Sequence, residues 1–233
     1  MKILAIDTSA GPASCAVTED GRVLAFSKVH RQMTHSQTLM PMLDAMLQQA
    51  SLQLSDMDLL AVSAGPGSFT GIRIGVSAVK GMAFAEGKPC APVSTLAAIA
   101  RNVDGCPFEG IVCAAMDARC QQVYTACFGA SDGKLNRLTP DEALAISTLG
   151  ERLLAYQAPV WLLGDGAALC HRQLRESVPR LWLAPDPLRY QQATGVAAEA
   201  ERMVAAGETV TAERLTPVYL RLPQAERERL ARG

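Results

Sequence analysis

The sequence lacks the features that define several large classes of protein. Its 22 Lys and Arg residues nearly balance 23 Asp and Glu, so the net charge of −1 gives no sign of a nucleic-acid-binding surface. No segment approaches the roughly 20 apolar residues that span a bilayer. The apolar start at residues 2–6 ends at Asp7, which is too short for the core of a signal peptide. We therefore expect a soluble, cytoplasmic protein with no membrane partner.

The seven cysteines form no pattern typical of a disulfide framework or a metal site. Their number is odd, and no Cys-x-x-Cys pair occurs. Four of them recur at a step of seven residues, but we predict strands there, and in a strand such a step alternates between the two faces. We therefore expect buried structural thiols in a reducing compartment. The four are Cys106, Cys113, Cys120 and Cys127.

Histidine and serine are not placed for hydrolytic catalysis. A zinc helix needs two His residues four positions apart and a Glu as base, whereas His30 and His35 are five apart with no Glu between them. Ser68 stands one place too early in its glycine segment for a Gly-x-Ser-x-Gly elbow. The sequence therefore predicts no metal site and no catalytic triad.

What the chain does contain is an internal repeat. Each half begins with an apolar strand that ends in Asp, at Asp7 and Asp117, followed by a second strand, an Asp-Gly turn and a third strand. A helical pattern, an apolar strand, a glycine turn and another helix follow in each half. The order β-β-β-α-β-α, read twice, predicts two mixed-sheet α/β lobes. The predicted helix and strand before each glycine turn are 37–51 and 58–63, then 141–155 and 160–163.

This order of elements is that of the actin, sugar-kinase and Hsp70 superfamily. We predict a first lobe over residues 1–104 and a reduced second lobe over 105–233, and we expect the final helices, from residue 191 on, to pack back on the first lobe. In that superfamily, aspartates at strand ends lie near nucleotide phosphates and magnesium. Asp7 and Asp117 are the matching positions.

A glycine-rich loop at residues 65–71 joins an apolar strand to a helical pattern over 72–85. Such a turn can gather backbone N–H groups around an anion, although the loop lacks the Gly-Lys-Ser/Thr end of a P-loop and the Rossmann spacing. Two interpretations remain open: a nucleotide-phosphate contact, or tight turns that only cap neighbouring backbone groups. The candidate nucleotide-binding residues are Asp7, Thr8, Gly65, Gly67 and Asp117.

Two predicted helices of the first lobe carry unusual faces. The helix after the glycine loop has a stripe of small residues that lets another element come close, and the preceding helix is rich in methionine. These faces could form ordinary core against the sheet or an interface with a partner protein. The predicted interface residues are Leu39, Met42, Leu43, Met46, Gly71, Gly75, Ala78 and Met82.

Four segments together resemble the TsaB family, bacterial proteins needed to make threonylcarbamoyladenosine in tRNA. The glycine segment is the most specific of them, and the four are spread over nearly the whole chain. They are residues 3–9 (ILAIDTS), residues 35–41 (HSQTLMP), residues 65–75 (GPGSFTGIRIG) and residues 217–221 (PVYLR).

The resemblance implies a supporting role. TsaB proteins are similar to shortened paralogues of the catalytic, metal-binding TsaD, whose His-x-x-x-His motif is missing here. It also implies pairing with TsaD or with a second copy through the helices at 37–50 and 70–86, a TsaE-like ATPase in the assembly, and only indirect contact with tRNA. We expect no cofactor beyond weak ATP or ADP binding. The alternatives are a stand-alone actin-like ATPase or kinase and, third, a metallopeptidase.

Overall fold

The computed structural model describes residues 1–30 and 34–221. Within these ranges, each helix is too short or too polar to serve as a membrane span. The first half of the chain contains β1 (Lys2–Asp7), β2 (Ala13–Glu19), β3 (Arg22–Val29), α1 (His35–Gln49), β4 (Leu59–Gly65), α2 (Phe69–Glu86), β5 (Cys90–Ser94) and α3 (Thr95–Ala100). The second half contains β6 (Gly110–Asp117), β7 (Gln122–Ser131), β8 (Lys134–Arg137), β9 (Glu142–Ala145), α4 (Ile146–Ala155), β10 (Val160–Leu163), α5 (Ala167–Leu174), β11 (Leu181–Leu183), α6 (Asp186–Arg189) and α7 (Ala193–Ala205).

The two halves build sheets with the same internal order. The first sheet runs β3-β2-β1-β4-β5, and the second runs β8-β7-β6-β10-β11. In both, an antiparallel three-stranded meander is extended by two parallel strands on its opposite edge. The predicted fold class, two actin-like α/β lobes, is confirmed by this shared order.

One predicted helix of the second lobe begins later than expected. The pattern over 141–155 suggested a single helix, but Glu142–Ala145 forms β9 and the helix begins at Ile146. The reason lies in β7, which is ten residues long while β8 has only four. Because β8 pairs with the far end of β7 only, β9 covers the hydrogen-bonding edge that remains at Gln122–Thr125.

Helices cover both faces of the first sheet. Alternate side chains of β1, β2 and β4 pack against α1 and α2 on one face, and the intervening ones pack against α7 on the other. Helix α7 contacts β1, β2, β4 and β5, so the last long helix lies on the sheet of the first lobe. Helix α3 contacts α7 and also β6 and β7, and therefore joins the two sheets.

Five of the seven cysteines are buried, in agreement with the expectation of structural thiols. The expectation is wrong for Cys120, which is exposed, and incomplete for Cys106, which is partly buried. Cys120 lies in the turn between β6 and β7, where the chain leaves the sheet. Cys106 lies in the connection between the two lobes.

Two of the small residues of α2, Gly71 and Gly75, face the sheet of their own lobe. The Thr8 hydroxyl at the end of β1 donates a hydrogen bond to the Gly71 carbonyl (2.7 Å). A Cβ atom on Gly71 would overlap the Thr8 carbonyl oxygen, and one on Gly75 would lie 2.5 Å from Thr8 Oγ1. The glycines therefore allow α2 to lie directly against β1.

Six of the eight predicted interface residues are covered by the first lobe itself. Those on α1 form the apolar stripe that holds this helix on the sheet, and the two glycines lie against Thr8. In this conformation the six are core residues, which corrects their assignment as direct partner contacts. Ala78 and Met82 are partly exposed, and for them the interface remains a prediction. The six are Leu39, Met42, Leu43, Met46, Gly71 and Gly75.

Two glycine-to-alanine substitutions on α2 should change stability in opposite directions. Gly71→Ala should lower the free energy of unfolding by about 3 kcal/mol, because the new methyl group meets backbone that cannot move aside. Gly81→Ala, the matched control, has open space around its Cβ position and should gain about 1 kcal/mol of helix propensity. Urea unfolding measures both, and equal effects would contradict the inward docking of Gly71.

Candidate functional site

A cleft of about 870 Å³ lies between the two lobes. The first lobe supplies the end of β1 and the loop before α2, and the second lobe supplies the turn after β6. A stretch near the C-terminus closes one side; we call residues 216–221 the C-terminal segment. The lining residues lie at 9–11, 66–70, 116–119, 124, 165 and 218–221.

Asp7, the strand-end aspartate of the first lobe, is fully engaged by its own neighbours. One carboxylate oxygen accepts hydrogen bonds from the Ser9 amide (2.9 Å) and hydroxyl (2.8 Å). The other accepts from the Ser63 hydroxyl at the end of β4. The side chain is only 1% exposed, and this burial raises the pKa of Asp7 above its ordinary value of 3.8. Asp7 therefore ties β1 to β4 and caps the turn that follows.

The glycine loop is packed against the same strand end. The Ser68 amide donates a hydrogen bond to the Ser9 carbonyl (2.7 Å), and a Cβ atom on Gly67 would lie 2.5 Å from that oxygen. Ser68 also caps α2, because its hydroxyl accepts a hydrogen bond from the Gly71 amide (3.3 Å). Gly67 thus serves a close approach of two backbone segments.

Gly65 is covered by the C-terminal segment. Its φ angle of +136° favours glycine, and a Cβ atom there would overlap the Val218 carbonyl oxygen. The Val218 amide donates a hydrogen bond to the Ala64 carbonyl (2.7 Å). Sequence reasoning noted residues 217–221 only as a point of resemblance and missed this contact, which no local pattern reveals.

The C-terminal segment continues across the cleft to the second lobe. The Tyr219 hydroxyl accepts a hydrogen bond from Arg73 Nε (2.9 Å), and its ring lies 5.0 Å from that of Phe69. The Arg221 guanidinium donates to the Ala118 carbonyl (3.0 Å), just after β6. The segment therefore bridges the two lobes along one rim of the cleft.

The second lobe presents two carboxylates to the cleft. Asp117 ends β6, is exposed, and accepts a hydrogen bond from the Arg119 amide (2.7 Å). Asp165, in the glycine turn after β10, accepts a hydrogen bond from the buried Gln191 side chain (2.8 Å). Arg119 and Arg221 line the same cavity, so the cleft carries both signs of charge.

The predicted nucleotide-binding residues do not come together as one site. Gly67 and Asp117 line the cleft, whereas Asp7, Thr8 and Gly65 lie outside its lining among the residues that the structure describes. The Asp7 oxygens are occupied and the Thr8 hydroxyl is bonded to α2. Residues in this state do not fit a magnesium–nucleotide complex of the actin-like kind. Over the same part of the chain, no three His, Cys, Asp or Glu side chains gather as a metal-ligand set.

The buried Asp7 should give stability a specific pH dependence. Because its folded-state pKa is raised, the folded protein retains this proton at a pH where the unfolded chain has lost it. The free energy of unfolding should therefore fall as pH rises above 3.8 through the raised pKa. Asp7→Asn should lack that loss, so the stability of the variant relative to the native chain should grow with pH across this window.

Urea unfolding of both proteins at a series of pH values measures this difference. Asp117→Asn is the matched control for the loss of one carboxylate, because Asp117 ends the corresponding strand of the second lobe and is exposed. Parallel pH curves for the native chain and Asp7→Asn would contradict the account of Asp7.

Comparisons with known proteins identify the family. The model of the family described as TsaD, tRNA N6-adenosine threonylcarbamoyltransferase, matches residues 29–228. The tRNA threonylcarbamoyladenosine biosynthesis protein TsaB of Escherichia coli (strain K12) is 33% identical over 223 residues, 95% of each chain. The protein of the same description from Bacillus subtilis (strain 168) is 34% identical over 178 residues, 76% of each chain.

A solved structure agrees with the sequence relatives. YeaZ from Pseudomonas aeruginosa has a TM-score of 0.79 and 32% identity, with 94% of this chain and 99% of that chain covered. The resemblance noted from four sequence segments is thereby confirmed, over almost the whole length of both chains. The chain belongs to the TsaB family of tRNA threonylcarbamoyladenosine biosynthesis proteins.

Proposed function

We propose that this chain is a non-catalytic subunit in the synthesis of threonylcarbamoyladenosine on tRNA, and that it acts by binding a TsaD-like catalytic protein. The observation that carries the proposal is the state of Asp7. Asp7 stands at the strand end where actin-like enzymes hold magnesium and phosphate. Here both of its carboxylate oxygens accept hydrogen bonds from Ser9 and Ser63. This chain is related to a transferase family, but the aspartate at this position has a structural role. Such a chain is suited to support catalysis by a partner protein.

The outer face of α2 is the surface we assign to the partner. It is an uncharged strip of α2 on the side away from the sheet, and the charged residues Arg73 and Lys80 border it where α2 meets residues 213–219. Phe84 is 71% exposed, which is unusual for a large aromatic residue on a monomer surface. The partly exposed Ala78 and Met82 border this face. The outer face consists of Ile74, Ser77, Gly81, Phe84 and Ala85.

The remaining parts of the assembly follow from the family. We propose that a TsaE-like ATPase joins the complex, that the chain alone pairs with a second copy through the same face of α2, and that all of this takes place in the cytoplasm. The net charge of −1 supports contact with tRNA only through partners. We assign no cofactor or metal to this chain, and at most weak binding of ATP or ADP in the cleft.

Reconstitution of the modification tests the proposal. Unmodified tRNA, ATP and a donor of the threonylcarbamoyl group are combined with this chain and with TsaD-like and TsaE-like proteins, and each protein is omitted in turn. Modified adenosine should be lost when this chain is left out, and the chain without the TsaD-like protein should form none. Modification by this chain without the TsaD-like protein would overturn the proposal.

The alternative, a stand-alone actin-like ATPase, is tested on the isolated chain. The cleft, with Asp117 and the start of α2 in its wall, is the observation in its favour. Calorimetry with magnesium and ATP should show binding no tighter than the millimolar range and no turnover. Micromolar binding with turnover that is lost in Asp117→Ala would favour the ATPase.

Substitutions on the outer face of α2 should separate partner binding from folding. Phe84→Glu should weaken binding of the TsaD-like protein by more than about tenfold, because loss of a central aromatic contact typically costs about 2 kcal/mol or more. Leu154→Glu on α4 is the matched control, since Leu154 is 50% exposed on a helix of the other lobe. Isothermal titration measures both affinities, and circular dichroism verifies the folds. If Phe84→Glu binds the TsaD-like protein with native affinity, α2 does not form the interface. This conclusion holds whatever the result of the reconstitution.

A further inference from the structure

Two cysteines face each other inside the second lobe. Cys113 on β6 and Cys127 on β7 are directly opposite in the antiparallel register, and both side chains are buried in the core beneath α4 and α5. The sequence places them 14 positions apart, and only the pairing of the two strands brings them together.

The backbone hydrogen bonds identify the kind of pair. The Cys127 amide donates to the Thr139 hydroxyl (2.9 Å), and its carbonyl accepts from the Leu138 amide (2.9 Å). Both groups therefore point away from β6, which makes Cys113 and Cys127 a non-hydrogen-bonded pair. In such a pair the Cα atoms are about 4.5 Å apart and the side chains approach most closely. Disulfides accept Cα separations of about 4.4 to 6.8 Å, so a bond between the two sulfurs requires no shift of either strand.

The surroundings of Cys127 favour its thiolate. The neighbouring Cys113 thiol lowers the pKa of Cys127, and Tyr156 and the positive charge of Arg152 act in the same direction, whereas burial and the Glu142 carboxylate raise it. The Cys113 pKa is raised by this interaction and by burial, so Cys113 keeps its proton. Burial raises the pKa of Cys15 to about 12. The pKa of Cys170 is also raised to about 12, chiefly by burial. Only the thiolate reacts with oxidants, so the pair is chemically distinct from these thiols.

Of the two cysteines, Cys127 is the one with partly exposed residues of α4 and β9 beside it. Tyr156 and Arg152 are both partly exposed, and they lie beside Cys127. Arg152 forms an ion pair with Glu142 (2.6 Å) at the surface of this region. We therefore assign Cys127, beside these partly exposed side chains, as the thiol that meets the oxidant first.

We propose that Cys113 and Cys127 form a redox modification site that hydrogen peroxide converts to a disulfide. The Cys127 thiolate attacks one peroxide oxygen, the O–O bond breaks, and Cys127 becomes a sulfenic acid as the other oxygen leaves as hydroxide and takes up a proton to form water. The Cys113 sulfur then displaces the sulfenic oxygen, which leaves as a second water with the Cys113 proton. Two thiols are oxidised and one hydrogen peroxide molecule is reduced, and a dithiol reductant restores the thiols by exchange.

Peptide mapping of the full-length protein tests this site. Trypsin cleaves between the two cysteines at Arg119, but each resulting peptide holds a second cysteine, Cys106 or Cys120. The experiment therefore uses a Cys106→Ser/Cys120→Ser background, treated with hydrogen peroxide while folded, then alkylated and digested without reductant. A linked peptide pair that has lost two hydrogens should appear, and dithiothreitol should separate it.

Rates and variants decide between a modification site and ordinary core thiols. The pair should oxidise at least about tenfold faster than Cys15, Cys90 and Cys170, since each unit of pKa changes the thiolate fraction tenfold. Cys170→Ala, the matched buried control, should leave the linkage intact, and Cys127→Ala should abolish it. Tyr156→Phe, which retains the ring, should slow the reaction without loss of fold, and so tests the site even where Cys127→Ala does not fold. A linkage that forms only after denaturation, or no faster than oxidation of the other thiols, would overturn the proposal.

Discussion

Three consecutive residues at the end of β1 form hydrogen bonds with three different parts of the first lobe, and the lobe is organised around these contacts. Asp7 binds the Ser63 hydroxyl of β4, the Thr8 hydroxyl binds the α2 backbone, and the Ser9 carbonyl accepts from the loop before α2. Each contact removes a polar group from water and requires a partner in return. The loop and helix can approach this closely only because glycine occupies the two positions nearest to Thr8, Gly71 and Gly75.

This arrangement connects the fold to the proposed role. In an actin-like lobe the same strand end borders the cleft, so groups placed there can either meet a ligand or hold the lobe together. Here the Asp7 carboxylate holds the lobe together. Because it is buried without a charged hydrogen-bond partner, its pKa is raised. On the other side of the lobe, Phe84 of α2 points outward.

The sequence allowed the fold to be predicted far better than the site. Strand ends and Asp-Gly turns gave the element order, and β10 has the predicted bounds at Val160–Leu163. Strand β9 was missed because its residues suit a helix, and only the unpaired edge of β7 makes them a strand. The spacing of Gly71 and Gly75 revealed a close contact but not what makes it, since one-dimensional periodicity cannot distinguish the lobe's own sheet from another protein.

The C-terminal segment gives the two lobes a further connection, besides the chain near residue 105 and the return of the chain into α7. With Val218 bonded to Ala64 and Arg221 to Ala118, the polypeptide closes a loop through both halves. Rotation of one half against the other would have to break these bonds, so the segment acts as a brace between the two lobes. A protein bound to the first lobe would then find the second lobe at a fixed angle. The two lobes would act on that protein as one rigid body.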